Sequence, residues 1–166
     1  FYTLQAPADI FDRVVTTFKF TPASATVPSD WKTYKLNGTT IQFRHPGSLV
    51  LKEANEQQYG NGSAYRFASF ESDDLFMQVD VNNPGMGLNM EVTGQKQTQV
   101  AGLQVSYQTL QHSAEAVPNL NERKKGVFVQ FTKGSDDYSI LFRFPLSGLD
   151  QTNLIDKILS TFKFTN

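Results

Sequence analysis

The chain is 166 residues long with a formal net charge of −1, its 15 basic and 16 acidic side chains interspersed. That length suits one domain with a real core, and the near-neutral balance gives no long-range field to draw nucleic acid or an anionic membrane surface. The absence of cysteine excludes disulfides, thiol nucleophiles and cysteine-ligated zinc, and no apolar run approaches the roughly 18 residues of a membrane-spanning helix.

The first residues, FYTLQAPADIF, lack the charged and apolar regions of a signal peptide, so any targeting segment is expected upstream. FYTLQ (1–5) reads as a strand. A helix follows, with Asp9 as N-cap and Ile10, Phe11, Val14, Val15 and Phe18 on one face. TPASATVPSD (21–30), with two prolines and small polar residues, has the composition of a linker.

WKTYKL and TTIQFR flank Asn37-Gly38, the preferred pair for a tight type I′ hairpin. HPGS (45–48) interrupts the pattern, LVLKEA (49–54) resumes it, and NEQQYGNG (55–62) reads as a loop. Strands are expected over 63–72 and 74–81, the second with Leu75, Met77, Val79 and Val81 on one face. NNPGMGLNMEVTGQ (82–95) is the longest irregular stretch and could hold a short helix.

Residues 97–111 read as a strand pair or one long bent strand around Gly102, and 112–123 as a loop. Residues 125–132 and 133–144 read as a second hairpin. A final helix opens near Asp150 and carries Leu154, Ile155, Ile158, Leu159 and Phe162 at helical spacing. Roughly eight strands and a terminal helix give an α+β domain whose largely antiparallel sheet buries its apolar face beneath the helix.

That helix repeats the first. FDRVVTTFKFT (11–21) aligns with IDKILSTFKFT (155–165), six of the eleven positions being identical. Residues 1–21 are therefore read as the closing strand and helix of a preceding repeat, or as an N-terminal helix packed on this domain. Residues 22–30 are the linker and 31–166 the complete domain.

Trp31-Lys32-Thr33-Tyr34, then Ile41-Gln42-Phe43-Arg44-His45-Pro46, a meander of strands and the closing IDKILSTFKF together resemble the PsbP-related domains of bacterial envelope proteins and lipoproteins. His45 stands where that family usually has Tyr, and Leu49 about where it has Trp. The resemblance implies a Mog1/PsbP-like fold, an α/β/α sandwich with helices flanking an antiparallel sheet. It transfers no catalytic motif, because relatives range from a photosystem accessory subunit to a nuclear GTPase-binding protein.

Chemistry-bearing residues are sparse. His45 and His112 have no HExxH or GxSxG around them and read as turn or surface histidines. Gly85-Met86-Gly87 lacks the context of a phosphate loop. Asn37-Gly38-Thr39 and Asn61-Gly62-Ser63 fit the glycosylation sequon, but turn formation accounts for the Asn-Gly pairs. Asp73-Asp74 and Asp136-Asp137 are turn carboxylates by default, and a calcium site if their loops converge, with help from Asp80, Asn82 or Asn83.

Among the aromatic residues, Trp31, Tyr34, Tyr59 and Tyr107 are candidates for a recognition surface. The sequence thus predicts a non-enzymatic binding or scaffolding module of an exported bacterial protein, extracytoplasmic and monomeric. It would dock a protein or an envelope polymer, with no cofactor and no nucleic acid. The alternative is a ligand- or calcium-binding accessory domain.

Overall fold

The computed structural model describes residues 27–58, 64–85 and 89–165. The strand and helix expected over 1–21, Tyr59 and the sequon at Asn61 lie outside them, as does most of the linker. Among the described residues ten strands follow in chain order: β1 (Lys32–Lys35), β2 (Ile41–His45), β3 (Val50–Gln58), β4 (Ala64–Glu71), β5 (Phe76–Val81), β6 (Glu91–Val100), β7 (Leu103–Gln111), β8 (Lys124–Lys133), β9 (Asp136–Pro145) and β10 (Lys163–Phe164). One α-helix, α1 (Thr152–Leu159), stands between β9 and β10.

β1, β2 and β10 form a small sheet in that order, and the other seven form a large sheet ordered β3-β4-β5-β9-β8-β7-β6. Every neighbouring pair is antiparallel. The expected α+β class with a largely antiparallel sheet is what the chain adopts. The helical flanking was overstated, since α1 is the only α-helix among the described residues.

Alternation decides which face of the large sheet is core. Met77, Val79 and Val81 of β5 and Val127, Val129 and Phe131 of β8 share a face with Ile140 and Phe142 of β9, and all are buried. The small sheet and α1 cover that face. Phe43 of β2 meets Phe70 of β4 at 5.5 Å, and Phe164 of β10 meets Tyr138 of β9 at 5.4 Å. Ile155, Ile158, Leu159 and Phe162 are buried as their helical spacing predicted.

Turn chemistry is partly redistributed. Asn37-Gly38 does not make a two-residue hairpin: β1 and β2 join through a longer loop in which Thr39 N–H bonds the Leu36 carbonyl and Gly38 alone has positive φ, +67°. A type I′ turn needs positive φ at both central residues. That pattern occurs instead at Ala101 (φ 53°) and Gly102 (φ 81°), between the paired Val100 and Leu103. Residues 97–111 are therefore parts of a strand pair.

Three further expectations are corrected. Residues 55–58 continue β3 rather than forming a loop, and 91–95 already belong to β6. The last helix ends at Leu159, and Phe162-Lys163-Phe164 turns into an extended segment paired with β2. Thr161 helps make this change, its hydroxyl accepting from Arg44 N–H at 2.9 Å. Asp150 supports the start of α1, accepting from both the amide and hydroxyl of Thr152. Those two bonds hold its carboxyl below the usual range.

Candidate binding cleft

The connection from β4 to β5 is a tight turn closed by Ser72 N–H to the Leu75 carbonyl, 2.9 Å, and by Leu75 N–H to the Ser72 hydroxyl, 3.2 Å. Asp73 and Asp74 are left exposed at its tip. Register then sets Phe76 opposite Arg143 of β9, and cross-strand partners share a face. The Arg143 guanidinium carbon lies 4.3 Å from the Phe76 ring centre. Lys124 enters from β8, opposite Pro145.

These groups line a cleft of about 250 Å³ at one end of the large sheet, on the face that the small sheet does not cover. Arg143 and Lys124 are half-buried. Among the described residues neither forms an ion pair, and the buried Arg143 Nε has no hydrogen-bond partner there. A half-buried guanidinium with open donors is costly to hold, so the arrangement is primed for an acceptor.

A second hollow of about 200 Å³ is lined by Gln95, Lys96, Tyr107, Thr109 and Thr152. There the Tyr107 hydroxyl is buried without a partner at bonding distance among the described residues. Burial first, and then the nearby Asp156 carboxylate, push that hydroxyl far above its ordinary pKa. Lys96 closes the hollow, 4.2 Å from the Tyr107 ring centre and 3.4 Å from Asp156.

The aromatic surface expected from Trp31, Tyr34, Tyr59 and Tyr107 is not assembled by the residues described. Trp31 is 8% exposed and Tyr107 1%, both within the core. Arg44 fastens the segment before β1, its guanidinium donating to the carbonyls of Pro28 and Trp31 and so holding Trp31 inward. Tyr107 alternates with Val105 on the inner face of β7. Tyr34 is half-buried with its ring edge-on to Phe70 at 5.0 Å, and burial raises its pKa.

The four turn carboxylates do not converge. Asp73 and Asp74 precede the start of β5, while Asp136 and Asp137 sit beside its end, where Asn82 N–H bonds the Asp137 carbonyl at 2.7 Å. Asp136 accepts from Asn82 and Asp137 from Thr132. Both are therefore spent on turn chemistry. Among the described residues, no three His, Asp or Glu side chains gather as metal ligands.

His45 is a core group rather than a turn or surface one. It is 5% exposed, 4.8 Å from Phe70 between ring centres, with Nδ1 against the Pro46 carbonyl. Burial lowers its pKa, and the nearby Lys32 adds to the effect. His112 stays half-exposed, its Nδ1 accepting from Lys124 N–H at 3.2 Å.

Sequence reading passed over the full burial of Asp80. At 0% exposed, it accepts from the Tyr65 hydroxyl at 2.7 Å and from Gln78 at 2.9 Å, while its Oδ2 has no hydrogen-bond partner among the described residues. Burial raises its pKa despite the donors around it. With the folded pKa above the unfolded one, the carboxyl favours folding most below the unfolded value, and that contribution is lost as pH rises through the folded value. Asp80→Asn keeps the oxygen that Tyr65 and Gln78 use and abolishes the charge. The variant is expected to melt about 2–4 °C above the parent at neutral pH. Thermal melts at several pH values should show that gap closing as pH falls towards the unfolded carboxylate range, and a gap independent of pH would refute the assignment.

No family model matches the chain, and no curated protein matches it. Its fold is similar to that of a crystal structure from Bacteroides thetaiotaomicron VPI-5482, with a TM-score of 0.52 and 11% identity, over 82% of this chain and 49% of that one. The chain thus spans about half the length of that structure, and at such identity the likeness is one of fold alone. It is also similar to the solution structure of cyanobacterial PsbP (CyanoP) from Synechocystis sp. PCC 6803, with a TM-score of 0.48 and 10% identity, over 85% of this chain and 96% of that one. Among the described residues no helix is long and apolar enough to cross a membrane.

Proposed function

We propose that the chain is a non-enzymatic binding or scaffolding module of an exported, extracytoplasmic bacterial protein, docking a protein or an envelope polymer. The observation that carries this reading is Arg143, half-buried on the Phe76 ring, open to a cleft and without an ion pair among the described residues. Arginine placed this way is a common anchor at interfaces. The cleft's volume is slightly below the usual range for small-molecule pockets, which suits a projecting group of a larger partner.

Against catalysis stands the way the histidines are used. His45 Nδ1 faces the Pro46 carbonyl and His112 Nδ1 receives the Lys124 amide, so on each ring that nitrogen is committed to backbone, and neither bonds a hydroxyl among the described residues. The calcium-binding alternative draws less support, since Asp73-Asp74 and Asp136-Asp137 stand at opposite ends of β5. Use in tandem is part of the proposal. Residues 1–21 would close a preceding copy, or their helix would supply the second flanking layer of an α/β/α sandwich.

The test is a pull-down from a bacterial envelope extract using the parent chain and Arg143→Gln, both first shown to melt alike. The parent is expected to retain a partner that the variant releases. Equal capture by the two chains, or capture by neither, would remove the cleft from the account of function.

A further inference from the structure

Resting on that reading of the cleft, we infer that it recognises a carboxylate carried beside a positive charge, such as an acidic side chain followed by a basic one on a partner protein. The floor and the rim of the cleft carry opposite signs. On the floor, Arg143 is held in place over Phe76, and Lys124 stands on the neighbouring strand. A guanidinium fixed in this way offers its planar fork to a carboxylate through two parallel hydrogen bonds.

On the rim, Asp73 and Asp74 are exposed and form no ion pair among the described residues, while Glu71 is already engaged at 4.0 Å with Lys52. A simple anion reaching Arg143 passes two free carboxylates and is repelled by them. A simple cation held by the rim meets the two cations beneath. A ligand bearing both signs satisfies floor and rim together, with the negative group inward. The about 250 Å³ available holds roughly the tip of one long side chain and part of its neighbour, which favours a protein partner over a polymer of sugar rings.

The inference is tested by titrating three short probes into the isotopically labelled chain and following the Arg143 Nε–H signal by NMR. The probes are N-acetyl-Glu-Lys-amide, N-acetyl-Glu-Ala-amide and N-acetyl-Gln-Lys-amide. The first is expected to shift the signal saturably at about millimolar concentration. The second should bind about three- to tenfold more weakly for want of the rim contact, and the third should leave the signal unmoved.

Replacing Asp73 and Asp74 together by Asn, on an exposed turn where folding is little at risk, should bring the first probe down to the level of the second. If N-acetyl-Glu-Ala-amide binds as tightly as N-acetyl-Glu-Lys-amide, the two-signed specificity is overturned while the cleft remains a carboxylate site. If no probe moves the signal up to about 50 mM, the inference and the docking role of the cleft both fall.

Discussion

Replacing Phe43 by alanine is expected to cost about 3–5 kcal/mol, the range for deleting a fully buried aromatic ring. Phe43 is 1% exposed in the middle of β2. Its ring lies flat on Phe162 at 4.6 Å, edge-on to Phe70 at 5.5 Å and tilted against Tyr34 at 5.7 Å. It therefore joins the small sheet, the large sheet and the segment after α1. Each favourable ring pair adds about 0.5–1.5 kcal/mol beyond area burial, which places the loss at the upper end of the range. Urea titration should show a large fall in midpoint, with Phe43→Leu milder because it refills part of the cavity. A loss under about 1 kcal/mol would mean that the small sheet is not seated on the large one as described.

Gly126→Ala is expected to be nearly as damaging for the opposite reason. A Cβ at Gly126 would fall 2.2 Å from the Phe142 carbonyl oxygen on the adjoining strand. The obstacle is backbone within the paired length of β8 and β9, so relief requires moving a strand rather than turning a side chain. Overpacking typically costs about 1–3 kcal/mol, and a backbone clash belongs at or beyond the top of that range. Gly47→Ala serves as the control, because its Cβ would meet only the end of the Lys32 side chain at 3.8 Å. Thermal melts should separate the two variants by about 5 °C or more, and equal melting would show that β8 and β9 can part without cost.

The strands with one buried face were readable from alternation, as in Met77, Val79 and Val81 or in Tyr138, Ile140, Phe142 and Phe144. The second half of β3 and the start of β6 were not. Both are edge strands whose residues are mostly exposed on both faces, so NEQQ and EVTGQ carry no apolar period to detect. The switch from helix to strand after Leu159 did leave a signal, with Phe162 and Phe164 flanking Lys163 at a spacing of two. The helical stripe masked it, because Phe162 satisfies both periods.

The cleft was half legible. Asp73-Asp74 announced a turn bearing carboxylates, but nothing local to Arg143 or Lys124 tied them to it. Their meeting depends on the register of β5, β9 and β8, which joins residues distant in the chain. The burial of Trp31 and Tyr107 was equally remote from residue type. For Tyr107 the alternation with Val105 was an available cue, while Trp31 is held by Arg44 from another strand.

The pairing of β10 with β2 also governs when the domain can form. Ile41 finds its partner in Phe164 and Gln42 in Lys163, so β2 waits for a strand made after every other strand described. Such distant pairing must bear the loop-closure entropy before its contacts repay it, and folding slows accordingly. Until Phe162 and Phe164 have been synthesised, the inner faces of Phe43, Phe131 and Tyr138 lack part of their cover. A nascent chain halted shortly before residue 162 would therefore expose an aromatic surface to the proteins that attend its synthesis.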